Sequence, residues 1–351
     1  MREVKRPRAA PILVVIVCAV LYVLSFPTTV GSELSVLKHW STPVDARLTP
    51  EYEGETFPIK IDDYATYFAV DGRIFRRQTV ETGIALDEDL FVRFPAPGEP
   101  VTVSTRSGDE IWVEDVTGFP FFRSGRLFFI GPNNASITEW SDRVLWSREF
   151  GSLVTTVDAG DEIVAVGLLN GQVEVIMNDG RHQHTFSAGG SRLPLVTGVA
   201  IAPGDLRLAV IAGAEPQYLF LLERMDDGFV PILQRRLDHE FRRPSLVTFV
   251  RDGRFILYET PNGVTIFDPS DRTENRHAIT GDLVSIHEGK DSMIVIAARD
   301  GDRTSLTAVV LPDRVVFETS FDAAAFDLVV RDNSLFIGAD KNVYRVDFDA
   351  R

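Results

Sequence analysis

From about Val154 to its end the chain repeats one unit: an apolar alternation, a turn, a second apolar run, another turn and a third run. The clearest copies read LVTTVDAGDEIVAVGLLNGQVEVIMNDG from Leu153, LVTFVRDGRFILYETPNGVTIFDPSD from Leu246 and LVSIHEGKDSMIVIAARDGDRTSLTAVVLPD from Leu283. A single meander cannot bury its apolar face alone, so the copies must pack against one another. Meanders recurring at a period of about 40 residues specify a β-propeller, one repeat to each blade. A β-sandwich would alternate apolar and polar residues in the same way, and it is the period that favours the propeller.

The units follow one another closely. Residues 119–151 hold four short apolar runs, separated at Ser124-Gly125, Pro132-Asn133-Asn134 and Ser141-Asp142. Further units cover 152–192, 193–244, 245–281 and 282–323, and the last, 324–350, holds three strands only. A fourth strand is therefore expected from the N-terminal side, with PIKID around Ile59 as its source, closing the ring and removing an exposed edge. The stretch 57–118 is irregular: Asp71-Gly72 signals a hairpin, while Pro95, Pro97 and Pro100 place a loop. The expectation is an all-β propeller of about seven four-stranded blades over 57–351, with six or eight left open by that stretch. Residues 27–56, with Pro27, Pro43 and Pro50, read as a tether.

The N-terminus reads as an address. Arg2, Lys5, Arg6 and Arg8 lie in a basic segment, 1–8, and precede a run from Ala9 to Phe26 that carries no charge. Such a run is near the lower limit for a transmembrane helix, and the flanking cations stay cytoplasmic, placing the propeller on the extracytoplasmic, periplasmic side. A signal anchor fits best. A cleavable signal peptide, with Val30 and Ser32 or Thr29 and Gly31 at the cut, is the first alternative. Lipidation at Cys18 is the second, and Val17 before it and AVLYVLSF after it fit that poorly.

Charge narrows the partners. The chain has 36 basic and 51 acidic side chains. Setting aside residues 1–26, with four basic residues and Glu3, leaves 32 against 50, a net of −18. Such a domain is repelled by phosphate backbones, which argues against nucleic acid, and a charge-steered partner would be basic. Cys18 is the sole cysteine, so the repeats contain no thiol for disulfides, catalysis or zinc.

No motif with a chemical mechanism emerges. There is no Gly-x-Ser-x-Gly elbow, Walker loop or dinucleotide fingerprint, and His239-Glu240 and His287-Glu288 lack a second histidine at metalloprotease spacing. His182 and His184 stand two apart, as chelating strand neighbours do, but without a third ligand they read as exposed polar residues. Asp300-Gly301-Asp302 reads as an acidic turn, since no bidentate glutamate follows at calcium-loop spacing. Asn134-Ala135-Ser136 is a glycosylation triplet of a kind common by chance. Arg235-Arg236 with Arg242-Arg243 is a basic run, read as a solvated outer strand. No catalytic, cofactor or metal residue is assigned.

DEIWVEDVTG (from Asp109) and RVLWSREFGS (from Arg143) each place a tryptophan, Trp112 or Trp146, after an aliphatic residue, with glutamate and glycine following. With DGRIFRRQTVETG from Asp71, they resemble the quinoprotein-like propeller repeat, related to the WD40-like class although Trp-Asp and Gly-His signatures are absent. The scaffold lipoprotein of the outer-membrane barrel assembly machinery is built from such repeats. The resemblance implies Trp112 and Trp146 in inter-blade packing, and a membrane-anchored scaffold that binds other envelope proteins rather than an enzyme. A quinoprotein dehydrogenase does not fit, because the repeats lack its adjacent cysteines. A ligand-sensing propeller and a hydrolase or lyase at the channel mouth are the alternatives.

Overall fold

Strand pairing resolves the repeats into eight antiparallel sheets. The protein is described by a computed structural model covering residues 34–80, 83–94, 101–113, 116–226 and 228–350. Blades 1 to 8 span 56–79, 84–113, 119–149, 154–187, 193–236, 247–278, 282–322 and 326–350. Among the described residues blade 1 has three strands and the others four. The expected blade and unit boundaries from 119 onward are met.

The count is eight rather than about seven because 57–118 divides into two blades. Blade 2 is built of short strands, the first being Ile84–Leu86, so it carries too little alternation to register as a repeat. The segment expected to close the ring is also corrected. PIKID lies in Thr56–Ile61, which pairs with Tyr64–Ala69 inside blade 1. The closing strand is Leu34–Pro43, which pairs antiparallel with Asn342–Ala350 as the outermost strand of blade 8. It falls within the stretch read as a tether, so part of that stretch, Leu34–Pro43, belongs to the propeller. An outermost strand needs no buried face: Val36 and Leu37 are exposed, whereas Phe57, Ile59 and Ile61 are buried. The expected helix at 9–26 lies outside the described residues.

Eight apolar clusters lie in the eight seams, each uniting two adjacent blades. One joins blades 4 and 5 through Val173, Val175, Val210 and Phe220, and one joins 5 and 6 through Ile211, Leu219, Ile256 and Phe267. The others follow in turn around the ring. Blade 8 meets blade 1 through Phe336, Val343, Phe57 and Phe68, with the Phe57 and Phe336 ring centroids 4.0 Å apart. A ring in which every blade has two apolar neighbours leaves no seam open to water.

The first strands of the blades line the axis, and their ends define two faces. On one face, turns between first and second strands are stitched blade to blade. Ser124 Oγ donates to Ala159 O at 2.6 Å, Asp161 N–H to the Asp205 carboxylate at 3.1 Å and Arg207 to Gly253 O at 2.7 Å. Arg251 N–H donates to Glu288 at 3.1 Å and Lys290 N–H to Asp332 O at 3.1 Å. These turns carry Asp62, Asp63, Asp87, Glu88, Asp89, Asp161 and Glu162 within three blades, so this is the acidic face.

Candidate functional site

The opposite face receives the starts of the first strands. Phe119, Leu153, Leu193 and Val284 stand at or beside those starts, and all are exposed, Phe119 by 56% and Leu153 by 45%. Leu169, in the turn after the second strand of blade 4, is exposed beside Leu153, whose carbonyl accepts the Leu169 N–H at 2.8 Å. Single exposed leucines are ordinary, but these five sit on one face by topology and form an apolar collar. Leu206 is exposed on the acidic face, and the remaining exposed large apolar side chains lie mainly on outer strands.

On the same face, with Phe119 in its wall, opens a cavity of about 460 Å³. Its walls come from blades 3 and 4 (Phe119, Phe121, Val154, Thr155) and from 6 and 7 (Leu246, Glu259, Leu283). Blades 4 and 6 are not neighbours, so the cavity crosses the axis and is the mouth of the central channel. The starts of four first strands converge there.

One charged cluster stands at the mouth. Glu259 is buried and accepts from Arg243 at 2.7 and 3.2 Å and from Leu246 N–H at 3.1 Å. Arg243 also reaches Asp282 at 3.0 Å and lies over the Phe241 ring at 4.7 Å. These carboxylates hold the guanidinium pKa above its ordinary value, with Glu259 the main cause. Thr155 Oγ1 donates to Gly167 O at 2.9 Å, and Ser245 Oγ lies 3.3 Å from Thr197 Oγ1. Thr155, Ser245 and Glu259 are committed to holding the loops, so the mouth presents mixed apolar and polar walls with two tied cations, Arg243 and Arg123, the latter donating to Val157 O at 3.2 Å. That chemistry suits recognition of a surface.

Deeper between blades, carboxylates bridge neighbouring backbones. Asp158 accepts Ile201 N–H at 2.8 Å and Asp327 accepts Lys60 N–H at 2.7 Å. Burial pushes both carboxyls above the usual carboxylate range.

The residues singled out in the sequence fall mostly into structural roles. Trp146 is buried between blades 3 and 4, and its indole N–H donates to Glu139 at 2.6 Å. A Cβ on Gly180, at φ +82 in the blade 4 turn, would lie 2.5 Å from Trp146 Cβ, so that position accepts glycine alone. Trp112 lies on the outermost strand of blade 2, Glu110–Val113. His182 and His184 do lie on an outer strand, but a bulge between them breaks the two-residue alternation. His182 pairs with Glu174 at 3.1 Å, whereas His184 meets Phe229 of the next blade.

Asp300-Gly301-Asp302 forms the hairpin turn between Met293–Asp300 and Arg303–Val310. Asn134 occupies a turn at φ +55. The basic run is largely paired: Arg235 with Glu274 at 2.8 Å, Arg242 with Glu215 at 2.6 Å, Arg243 with Glu259. His239 bonds Asp238 at 3.0 Å. No group of three or more metal-ligating side chains occurs among the described residues.

Sequence reasoning missed the collar. Its signal was the Leu-Val pair opening the copies at 153, 246 and 283, where alternation sends one member inward and leaves the other at the mouth.

Comparison with known proteins agrees with this architecture. BamB from Moraxella catarrhalis superposes with a TM-score of 0.60 at 15% identity, over 90% of this chain and 99% of that one. The computationally designed Ika8 protein superposes with a TM-score of 0.59 at 16% identity, over 85% of this chain and 97% of that one. An uncharacterized protein of Treponema pallidum (strain Nichols) is 20% identical over 293 residues, 83% of this chain and 78% of that protein. The resemblance to a BamB-like propeller is distant, and it extends over the whole ring. A β-propeller protein family matches residues 2–350, and the chain belongs to that family.

Proposed function

We propose that the protein is a docking platform of the cell envelope, held to the membrane by Ala9–Phe26, with its propeller on the extracytoplasmic side. The observation that carries this reading is the asymmetry of the faces. One is rimmed by Phe119, Leu153, Leu169, Leu193 and Val284, and the other by carboxylates. Several exposed apolar side chains on one face, beside a cavity that Phe119 also lines, are the usual ground for a protein interface. The Moraxella protein with the same ring supports the fold of this platform, and the uncharged run after four cations supports its address.

The test replaces two collar residues together, Phe119→Asp and Leu153→Asp, with Leu206→Asp on the acidic face as control. Each buried apolar side chain contributes about 1.5–3 kcal/mol, so loss of two weakens the complex by about a hundredfold or more. Complexes recovered after in-cell cross-linking and mild solubilisation should vanish for the collar variant and persist for the control. If the collar variant retains them, the docking face lies elsewhere.

A further inference from the structure

We propose that the groove between blades 5 and 6, opening on the acidic face, binds a free α-amino acid with an apolar side chain. The groove holds about 460 Å³, a volume suited to a small ligand. It lies between the turns at Asp252 and at Pro269–Arg272, on the face opposite the collar. Three arginines line it, Arg207, Arg254 and Arg272, against three carboxylates, Glu223, Asp252 and Asp268. Such a balance favours neither a simple anion nor a simple cation, whereas a zwitterion meets both signs at once.

Most of these charges are left open. Arg254 pairs with Asp268 at 3.3 Å, and the buried Asp268 also accepts from Ser270 N–H at 2.9 Å and from its hydroxyl at 2.5 Å. By contrast, the side chains of Glu223, Asp252 and Arg272 have no hydrogen-bond or ion-pair partner among the described residues. Arg207 stands directly across the ladder from Glu223, where opposite charges ordinarily pair. Instead its guanidinium donates to Gly253 O at 2.7 Å and lies over the Phe249 ring at 5.9 Å. That holds it in place with its other donors unused. Arg272 sits at φ +61, in a turn position that glycine or asparagine usually takes, so an unpaired cation stands where the backbone disfavours a long side chain.

The floor is apolar, and its local geometry is unusual. Ile232 and Leu233 are consecutive, and strand alternation would send them to opposite faces. A bulge opposite Leu221 and Leu222 leaves Ile232 without a pairing partner, and both side chains line the groove. Arg207 and Arg272 would take the ligand carboxylate, and Glu223 and Asp252 its ammonium, through charge-assisted hydrogen bonds. Leu221, Ile232 and Leu233 would take the side chain.

Calorimetric titration of the full chain with leucine tests this. Saturable binding is expected at millimolar concentration or below. Isocaproate, which lacks the ammonium, and isoamylamine, which lacks the carboxylate, should each bind about tenfold more weakly or worse. Arg272→Gly removes one cation and suits the backbone at that position, and Glu223→Gln removes one anion and keeps its shape. Each should weaken leucine binding about tenfold while the ligand-free protein melts as before. Absence of saturable heat with leucine, equal binding of either analogue, or unchanged affinity in either variant overturns the inference. Collar complexes are expected to be unaffected by both variants, so the docking reading stands or falls separately.

Discussion

Removing residues 34–49 unseals the ring, and the shortened chain is expected to lose cooperative unfolding and to aggregate. The segment makes three contributions to closure. Leu34–Pro43 covers the edge of Asn342–Ala350, which would otherwise template pairing with another molecule. Trp40, half-buried, donates its indole N–H to Val70 O at 3.1 Å and packs 6.1 Å from Phe336, binding blade 8 to blade 1. Val44 is buried between the same blades, and Thr49 N–H binds Ile74 O at 2.7 Å at the edge of blade 1.

A buried Trp→Ala costs about 3–5 kcal/mol, so the half-buried Trp40 contributes about half of that. Val44 adds about 1.5–3 kcal/mol. The loss approaches the whole stability of many domains, about 5–15 kcal/mol. A chain beginning at residue 34 should melt as a single transition, and one beginning at residue 50 should not. Equal melting of the two would show that the ring closes without this strand.

Glu139→Ala is expected to be the most damaging single substitution at the seam of blades 3 and 4. Glu139 is buried and accepts from Arg126 at 2.8 and 2.6 Å and from the Trp146 indole at 2.6 Å. Arg126 also donates to Gly160 O of the next blade at 3.3 Å and lies over the Phe128 ring at 5.2 Å. Truncating the carboxylate leaves a half-enclosed guanidinium and a buried indole N–H without their acceptor, a loss of about 3–5 kcal/mol in denaturant unfolding. Replacing the pair together, Arg126→Met with Glu139→Leu, should recover much of that loss, because an apolar pair carries no desolvation penalty. A double variant as unstable as the single one would place the cost in shape rather than in charge.

Much of this architecture was legible because inner strands are rich in apolar residues. From Phe119 onward the middle strands are buried on both faces between neighbouring blades, as at Ile163–Leu168 and Gly263–Asp268, and these apolar runs mark the blades at their observed boundaries. The closing strand escaped because an outermost strand is wet on most of its surface, so SVLKHWSTP has no burial pattern to display. Blade 2 escaped because strands as short as Ile84–Leu86 complete barely one alternation. The collar was half legible: Leu153 and Val284 carry the same letters as core residues. Only the ring shows that the starts of the first strands share one face. Trp146 was placed correctly between blades by the resemblance of its segment to the quinoprotein-like repeat, and its buried ring joins the cluster between blades 3 and 4.

A partner that sits on the collar, and not on the acidic face, can be caught in place. A photo-reactive residue placed in living cells at Leu153, at Leu193 and, for contrast, at Asp63 asks this directly. A discrete adduct of one mass is expected from both leucine positions and none from Asp63. An adduct confined to Asp63, or none from either leucine, would contradict it.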